Sequence, residues 1–578
     1  MSTEQGDPVV EVSGLTIAFG QHQVVSDINF EIRAGETLAV VGESGSGKSV
    51  TSMAVMGLLP KETRIGGSIR VQGQEIVGAP EHRMRKMRGQ VASMIFQEPM
   101  MSLNPVLRVG TQIKEMLRQH KPLSDAEARK EGIRLFERVR IPDAARRFDD
   151  YPHMFSGGMR QRIMIAIALA CSPRLLIADE PTTALDVTIQ AQILDLLNDV
   201  QRETGTAILF ITHDMGVVAN MADRVMVMRK GETVETGPVK EIFHNPGHRY
   251  TKMLIDAVPQ LGQGEGPKTA PAKAKPVLSV RNLVTRFDVK GGYFNRKVGR
   301  VHAVEGLNFE IAPGETLSFV GESGCGKSTT GRSILYLNPP DSGEVVFDGK
   351  QVNPERPSDL THLRRNVQMI FQDPFGSLDP KQRIGATLAE PLLCHGLTSK
   401  AEAREKAEHL LERVGLEANM ITRLPHEFSG GQRQRICIAR ALMLDPKVVI
   451  ADEAVSALDV SVKSQVIDLL LGLQEEMGLA YLFISHDMAI VERVSHRVAV
   501  MYLGEIVEIG PRDEVISNPR HPYTQRLMKA VPSSEPVEDR HRVIGAPVVE
   551  LPSPIRPLDY RPPIREYATV GPGHLVAE

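Results

Sequence analysis

The chain has 578 residues, of which 42% are hydrophobic and 24% are charged, the balance of a folded globular protein rather than a mostly disordered one. Its 68 basic and 71 acidic side chains give a formal net charge of −3. Proteins that grip a nucleic-acid backbone usually carry a basic excess, so we expect no nucleic-acid partner.

The chain has four scattered cysteines with no CxxC pair and no zinc spacing: Cys171, Cys325, Cys394 and Cys437. This pattern of cysteines predicts neither a disulfide framework nor a structural zinc site.

The first residues, MSTEQGDPVVEV, lack the basic start and apolar stretch of a secretion signal. No apolar run approaches the roughly 18 residues that span a bilayer. We therefore expect a cytoplasmic chain that works at a membrane only through partners.

The chain contains an internal sequence duplication. Five motifs return in the same order, roughly 275 residues further on: VVGESGSGKS and FVGESGCGKS, MIFQEP and MIFQDP, FSGGMRQRI and FSGGQRQRI, LLIADE and VVIADE, FITHDM and FISHDM. A period of this length is far too long for a solenoid repeat and predicts two tandem domains. We assign them to residues 1–261 and 277–532.

Two segments lie outside the repeated module. Residues 262–276, GQGEGPKTAPAKAKP, contain no large apolar residue and read as a solvated linker. Residues 533–578 are rich in proline, and we expect a tail that lies extended on a surface or stays mobile.

Each half reads as an α/β domain. Thr37–Val41 and residues 175–178 are short apolar runs typical of buried strands, whereas residues 187–202 have helical spacing. Strands that alternate with helices predict a parallel sheet covered on both faces.

The first motif of each half matches G-x-x-x-x-G-K-[ST] directly after an apolar strand. Glycines let such a loop turn its N–H groups toward phosphate oxygens, and the following helix adds its positive end. Lys48 and Lys327 would reach the β- and γ-phosphates of a bound nucleotide, and Ser49 and Ser328 would hold Mg²⁺. The two predicted phosphate loops are Gly42, Glu43, Ser44, Gly45, Ser46, Gly47, Lys48 and Ser49, and Gly321, Glu322, Ser323, Gly324, Cys325, Gly326, Lys327 and Ser328.

The fourth motif of each half is an apolar strand that ends in two carboxylates. Asp179 and Asp452 would bind Mg²⁺, mostly through water. Glu180 and Glu453 would orient or deprotonate the attacking water.

Two further polar residues follow strands in each half. Gln97 and Gln372, after MIF, are predicted to serve the metal and the attacking water. His213 and His486, in THD and SHD, would bond the γ-phosphate and fix the geometry of the glutamate and water.

Together these motifs resemble those of ATP-binding cassette (ABC) transporter ATPases, over residues of about 8–258 and 277–532. FSGGM and FSGGQ are similar to the LSGGQ signature of that family, and ALDV follows each carboxylate pair. The resemblance implies two tandem P-loop cassettes, each with a helical signature subdomain. The cassettes of this family pair head to tail, so ATP on the first loop would meet Ser429, Gly430, Gly431 and Gln432. ATP on the second would meet Ser156, Gly157 and Gly158.

An aromatic residue near the start of each cassette stacks on adenine in this family. Phe19 matches that position in the first half. In the second half the resemblance implies Phe287, with Phe294 as the alternative because residues 288–300 form an insertion.

A narrower resemblance follows each cassette. NPGHRYTKMLIDAVP and NPRHPYTQRLMKAVP look like the segment that ends the ATPases of oligopeptide, dipeptide and nickel importers. Members of that group often carry a terminal cysteine cluster that resembles an iron–sulfur site. Residues 533–578 contain no cysteine, so we expect no iron–sulfur cluster.

The resemblance implies the fused energy subunit of a bacterial importer, with ATP and Mg²⁺ as ligands. Its partners would be two membrane permeases and, through them, a periplasmic binding protein. It would act at the cytoplasmic face of the inner membrane. Di- or oligopeptides are the expected cargo. Nickel, an opine, glutathione or a peptide antibiotic remains an alternative, as does a soluble twin-cassette ATPase of translation or repair.

The two nucleotide sites differ in two residues. Cys325 stands where the first loop has Ser46, and Met159 stands where the second signature has Gln432. Lys327 and the N–H groups of the loop predict a lowered pKa and a reactive thiol at Cys325, against the alternative that it only fills space.

Overall fold

The computed structural model describes residues 7–97, 102–182, 185–256, 261–262, 266–267, 275–291, 296–456, 458–531, 536, 555–563 and 565–578. Each half contains a mixed α/β body and a helical unit, which confirms the predicted fold class. The strands of the first half are β1 Val10–Phe19, β2 His22–Ile32, β3 Thr37–Val41, β4 Arg64–Val71, β5 Gln74–Glu75, β6 Ala92–Ile95, β7 Leu175–Asp179, β8 Ala207–Thr212, β9 Arg224–Arg229 and β10 Glu232–Pro238.

Two sheets build the first half. The larger has the order β10-β9-β3-β8-β7-β6, and its pairs from β9 to β6 are parallel. Every residue of β3, β7 and β8 is buried, as expected for parallel strands covered on both faces. The smaller sheet, β2-β1-β4-β5, is antiparallel, and the alternation of strands and helices along the sequence does not predict it. Apolar residues of the two sheets pack together in one core.

The helices of the first half are α1 Lys48–Val55, α2 Glu81–Met87, α3 Val109–His120, α4 Asp125–Arg138, α5 Ala144–Arg147, α6 Gly157–Leu169, α7 Val187–Thr204, α8 Met215–Met221, α9 Val239–His244 and α10 Arg249–Asp256. The predicted helix over 187–202 is confirmed and extends to residue 204. It begins after Asp186, whose side chain accepts the N–H of Ile189, and it ends at Gly205, which adopts a left-handed conformation.

Helices α3 to α6 form the helical unit. Helix α4 begins with a capping box, in which the Ser124 hydroxyl accepts the N–H of Glu127 and the Glu127 carboxylate accepts the N–H of Ser124. Its core around Phe136 and Phe148 is continuous with that of the parallel sheet.

The second half repeats this plan. Its strands are β11 Leu278–Gly291, β12 Arg296–Ile311, β13 Thr316–Val320, β14 Ser342–Phe347, β15 Lys350–Gln351, β16 Val367–Ile370, β17 Val448–Asp452, β18 Ala480–Ile484, β19 Arg497–Tyr502 and β20 Glu505–Pro511. Its helices are α11 Lys327–Ile334, α12 Pro357–Asn366, α13 Ile384–Cys394, α14 Lys400–Arg413, α15 Gly430–Leu442, α16 Val460–Met477, α17 Met488–Val494, α18 Arg512–Ser517 and α19 Pro522–Lys529.

The end of the chain adds strands to both sheets of the second half. β21 Ile555–Arg556 pairs with β12, and the hairpin of β22 Tyr567–Gly571 and β23 His574–Ala577 continues the large sheet beyond β20. The described part of the tail is therefore bound to a surface rather than mobile. His574 Nε2 lies 2.8 Å from the carboxylate of Glu508, and both side chains are buried, so this polar pair is satisfied within the sheet.

The linker lies largely outside the described residues. At its start the N–H of Gly262 donates to the carboxylate of Glu492 in the second half, at 2.9 and 3.0 Å. Among the described residues we find no helix with the length and hydropathy needed to cross a membrane.

Candidate functional site

The two predicted phosphate loops connect β3 to α1 and β13 to α11. Gly47 and Gly326 precede these helices in a left-handed conformation that favours glycine. A Cβ on Gly326 would lie 2.0 Å from the carbonyl oxygen of Ala303, so a side chain has no room there. The glycines thus set the curvature of the loop and its close approach to the neighbouring strand.

Both loop lysines are buried and folded onto their own loops. Lys48 Nζ donates to the carbonyls of Gly42 and Glu43, at 2.7 and 2.9 Å. Lys327 makes the same two contacts with Gly321 and Glu322, at 2.7 and 3.0 Å. Burial lowers the pKa of Lys48, against the opposing effect of nearby carboxylates. A phosphate placed at either lysine would meet a cation already oriented within the loop.

Sequence reasoning missed two tyrosines that hold the loops. The Tyr250 hydroxyl accepts the N–H of Glu43 at 3.2 Å, and the Tyr523 hydroxyl accepts the N–H of Glu322 at 3.0 Å. These tyrosines belong to HRYT and HPYT, within the repeated segments that follow each cassette. The repeat of a tyrosine in the same context could have indicated a shared role. The loop residue that each tyrosine contacts lies more than 200 residues away in the sequence, so the repeat alone does not identify it.

The predicted metal ligands come together in each half. Ser49 Oγ donates to Asp179 at 3.1 Å, and Ser328 Oγ donates to Asp452 at 2.6 Å. Burial raises the pKa of Asp179 to about 6, and it also raises that of Asp452. Asp452 Oδ2 is buried and has no hydrogen-bond partner among the described residues.

These oxygens fit a hard cation. Mg²⁺ prefers one or two carboxylates together with hydroxyl, water and phosphate oxygens, and a nearby cation would favour the ionised form of the buried aspartates. The described residues contain no group of three or more His, Cys, Asp and Glu side chains that could hold a metal alone. Any Mg²⁺ at these sites therefore depends on phosphate and water ligands as well.

Glu180 lies between the two polar residues predicted to serve it. Gln97 Nε2 donates to its carboxylate at 3.0 Å, and His213 Nδ1 lies 3.3 Å from the other carboxylate oxygen. Both Glu180 and its counterpart Glu453 have positive φ angles, 46° and 48°. Non-glycine residues rarely adopt this conformation, and strain of this kind concentrates at functional sites.

The second half repeats this cluster. Gln372 Nε2 donates to Glu453 at 2.8 Å, and His486 Nδ1 lies 3.5 Å from its other oxygen. Burial alone would raise the pKa of Glu453, but the hydrogen bond and charge of His486 outweigh it and lower the pKa. Burial likewise lowers the pKa of His213, but the carboxylate of Glu180 outweighs it and raises the pKa. In each half a histidine nitrogen lies 3.3 or 3.5 Å from the glutamate carboxylate, a geometry that suits positioning of a water molecule.

The predicted signature residues begin α6 and α15. Ser156 and Ser429 cap these helices, accepting the N–H of Met159 and of Gln432. A Cβ on Gly431 would lie 2.4 Å from the side chain of Val462, and a Cβ on Gly158 would lie 2.6 Å from that of Ile189. Each signature helix therefore packs tightly on the helix that follows the ALDV motif of its own half. The preceding glycines, 157 and 430, face open space.

The two halves contact each other head to tail. The N–H of Ser44 donates to Asp459 at 3.1 Å, and the N–H of Ser323 donates to Asp186 at 3.3 Å. Asp186 and Asp459 belong to the two ALDV motifs, so each phosphate loop touches the opposite half beside its signature helix. Sequence reasoning noted the motif and missed the contact.

A cavity of about 150 Å³ lies between the halves. It is lined by both predicted histidines, His213 and His486, and by residues that flank the ALDV motifs. One histidine of each predicted catalytic centre therefore faces this shared space.

The two aromatic candidates are exposed at equivalent places. Phe19 pairs with His22 at the end of the β1–β2 hairpin, and Phe287 pairs with Val301 of β12. Their relative exposures are 38% and 42%, which leaves a ring face open to a ligand. The alternative, Phe294, lies outside the described residues.

The structure contradicts the prediction that Cys325 is reactive. The thiol is 1% exposed, and burial raises its pKa despite the charge of Lys327, whose Nζ lies 3.8 Å away. A buried thiol in its neutral form is a poor nucleophile. Cys325 therefore fills the space that Ser46 occupies in the first loop.

The second asymmetry has a structural explanation. The side chain of Gln432 accepts the N–H of Ser429 and so completes a capping box of its own helix, at 3.0 Å. Met159 cannot do so, and its sulfur instead lies 3.4 Å from Arg147.

Comparison with known families accounts for this arrangement. The model of the family described as "ABC transporter" matches residues 25–183 and 304–456. A second model, "Oligopeptide/dipeptide transporter, C-terminal region", matches residues 234–287 and 507–553. The chain belongs to the ABC transporter ATPases, as an ATP-binding, two-cassette ATPase coupled to transport.

Individual relatives place the chain more narrowly. It is 53% identical to "Glutathione import ATP-binding protein GsiA" of Pectobacterium atrosepticum, over 98% of this chain and 96% of that protein. The protein of the same name from Escherichia coli K12 is also 53% identical, over 99% of this chain and 97% of its own length. The chain is therefore a fused two-cassette member of the oligopeptide, dipeptide and nickel importer group. Among solved structures, cbiO1 of Clostridium perfringens, part of an ABC transporter complex, is 28% identical with a TM-score of 0.37, covering 42% of this chain and 91% of its own.

Proposed function

We propose that this chain is the energy subunit of an importer for short peptides of the glutathione class. The observation that carries the proposal is 53% identity, over nearly the full length of both chains, to proteins named as glutathione import ATPases. Glutathione is itself a tripeptide, so this cargo agrees with the oligopeptide and dipeptide region matched after each cassette. Cargo would bind other subunits, because the sites described on this chain would hold nucleotide.

Two ATP molecules would bind between the halves. Each would lie on one phosphate loop with its adenine on Phe19 or Phe287, and its γ-phosphate would face the signature serine and glycines of the other half. The reciprocal contacts of Ser44 with Asp459 and of Ser323 with Asp186 support this pairing. The N-terminal end of each signature helix would attract the negative phosphate.

Hydrolysis would take place at both sites. Glu180 and Glu453 would accept a proton from the attacking water, and His213 and His486 would hold each carboxylate and the γ-phosphate in position. Ser49, Gln97 and Asp179, with Ser328, Gln372 and Asp452, would hold Mg²⁺, which supplies neutralisation of phosphate charge when bound. Loss of the γ-phosphate would remove the bridge between the halves and allow them to separate.

The chain would work at the cytoplasmic face of the inner membrane with two permeases and, through them, a periplasmic binding protein. An open groove on the helical unit of the second half supports such docking. Its volume is about 540 Å³, and its mainly apolar lining includes Ala386, Ala389 and Leu393. Elsewhere in the second half, Phe375 is 63% exposed, with the guanidinium of Arg433 lying 3.7 Å from its ring centre. Exposed apolar surface of this kind marks protein interfaces.

Reconstitution tests the proposal. The chain should co-purify with two membrane permeases when they are co-expressed, and proteoliposomes that also receive the binding protein should take up labelled glutathione when ATP is supplied on the cytoplasmic side. Uptake of a longer peptide, but not glutathione, would overturn the cargo. ATPase activity that responds to ribosomes or DNA and not to permeases would overturn the transport role.

A further inference from the structure

A short strand of the C-terminal tail, β21, lies beside the second nucleotide site. β21 pairs antiparallel with β12, with Arg556 opposite Arg300 and Ile555 opposite Val301. Two residues further along β12, the carbonyl of Ala303 occupies the space beside Gly326 of the phosphate loop. We name residues 555–560 the C-terminal strap. It is therefore separated from the phosphate loop by the width of one strand.

The register aligns three apolar side chains on one face. Phe287 lies opposite Val301, and Val301 lies opposite Ile555. Side chains directly opposite one another in antiparallel strands point to the same face, roughly 5 Å apart at Cβ. Phe287 and Ile555 are 42% and 48% exposed, so the row is open to solvent at both ends. The row is about 10 Å wide, a span comparable to adenine with part of its ribose.

The other face of β12 anchors the strap. The ring of Tyr560 meets that of His302 edge to face, with centroids 5.2 Å apart, and the guanidinium of Arg556 lies 5.2 Å from the Tyr560 ring. Glu305 fixes this face, because its carboxylate lies 2.6 Å from His302 Nδ1 and accepts two hydrogen bonds from Arg286, at 2.6 and 2.8 Å. The strap therefore contacts both faces of β12, with Ile555 beside Val301 on one face and Tyr560 against His302 on the other. These contacts fix the position of Ile555.

The first half lacks this feature within the part that the structure describes. Its sheet has the order β2-β1-β4-β5, so β2, which carries His22 opposite Phe19, is the edge strand. The corresponding row there is two residues long and ends in a polar imidazole. The two exposed phenylalanines thus lie on platforms of different width and polarity.

We propose that Ile555 of the C-terminal strap extends the adenine platform of the second nucleotide site, so that this site binds the base of ATP more tightly than the first. The inference rests on the proposed stacking of adenine on Phe287. Ile555 acts by apolar contact with the base or ribose, and Tyr560 acts as a positioning residue that keeps the strap on β12. We expect phosphate binding to be unaffected, because Ile555 lies in the row of Phe287, on which the base is proposed to stack.

The test measures each site separately in the full-length protein. Lys48→Ala leaves the second site to bind ATP, and Lys327→Ala leaves the first. In the Lys48→Ala background, Ile555→Ser should weaken ATP binding about fivefold and leave the affinity for inorganic tripolyphosphate unchanged. Tyr560→Ala should act in the same direction, and Tyr560→Phe should keep wild-type affinity. The matched control is Val570→Ser, an equally exposed apolar residue of the tail, which should change neither affinity.

Comparison of Phe287→Ala with Ile555→Ser distinguishes the extended platform from the stacking of adenine on Phe287. If Phe287→Ala weakens ATP binding in the Lys48→Ala background while Ile555→Ser does not, the extended platform is wrong and stacking on Phe287 stands. If Phe287→Ala has no effect, the stacking itself is wrong. An equal effect of Ile555→Ser in the Lys327→Ala background, or a loss of tripolyphosphate affinity, would also overturn the inference, since it would show a general effect on folding.

Discussion

Asp459 in the second cassette accepts a hydrogen bond of 3.1 Å from the backbone N–H of Ser44 in the first phosphate loop. Its counterpart Asp186 makes the reciprocal contact with Ser323 at 3.3 Å. The two are not equivalent, because Asp186 also caps its own helix by accepting the N–H of Ile189, whereas the side chain of Asp459 makes no cap bond. One carboxylate thus serves both its helix and the interface.

This difference predicts unequal effects on stability. Asp186→Ala should lower the free energy of unfolding of the first cassette by about 1 kcal/mol through loss of the helix cap, and Asp459→Ala should lower that of the second by clearly less. Differential scanning calorimetry of the two variants measures both effects. Equal losses would show that the cap at Asp186 contributes nothing.

The carboxylates Glu180 and Glu453 are predicted to serve as the bases of two competent sites. The double variant Glu180→Gln/Glu453→Gln should bind ATP normally but hydrolyse it at least about a hundredfold more slowly, because glutamine cannot accept the proton. Each single variant should retain measurable turnover from the intact site. Steady-state ATPase assays measure the turnover of each variant, and equilibrium binding measures its affinity for ATP. Wild-type turnover in the double variant would remove both glutamates from the mechanism.

Stability without Mg²⁺ should depend on pH through Asp179. Its pKa is about 6 in the folded protein, against an ordinary value of 3.8, so the folded state keeps a proton that the unfolded state releases earlier. The free energy of unfolding should therefore fall by up to about 3 kcal/mol as pH rises from about 4 to 6. Above that range Asp179 should contribute no further change. Asp179→Asn should remove this part of the profile in metal-free thermal unfolding. A profile that the substitution leaves unchanged would refute the shifted pKa.

Maleimide labelling tests the environment of Cys325. Cys394 is exposed and should react first, whereas Cys325 is buried with a raised pKa and should react only after unfolding. Peptide mass spectrometry after timed labelling identifies the modified residue. Cys325→Ser, the residue found in the first loop, should keep ATPase activity. Rapid labelling of Cys325 in the native protein would restore the reactive-thiol hypothesis.

The tyrosines that follow each cassette should support nucleotide binding indirectly. Tyr250→Phe and Tyr523→Phe remove the hydroxyl that accepts the N–H of Glu43 or Glu322. Loss of one such bond corresponds to about 1 kcal/mol, so ATP affinity at the affected site should fall about fivefold. Isothermal titration of each site in a background lacking the other lysine measures the change. An effect on the opposite site alone would contradict the observed contact.

Much of the site was predictable because its motifs are local. The phosphate loops, the carboxylate pairs and the signature serines depend on the spacing of a few neighbouring residues, so the sequence alone placed Lys48, Asp179 and Ser156 in their elements. The strand of residues 37–41 was likewise evident, since a buried parallel strand is a short, continuous apolar run.

Only the tertiary structure decided which distant segments meet. The contact of Tyr250 with Glu43, the contact of Asp459 with Ser44 and the alignment of Ile555 with Phe287 each join segments more than 200 residues apart. The burial of Cys325 likewise reversed the expectation drawn from its charged neighbour. The physical reason is that strand register, packing and desolvation depend on the whole fold, whereas the conformation of a glycine-rich loop depends mainly on its own residues.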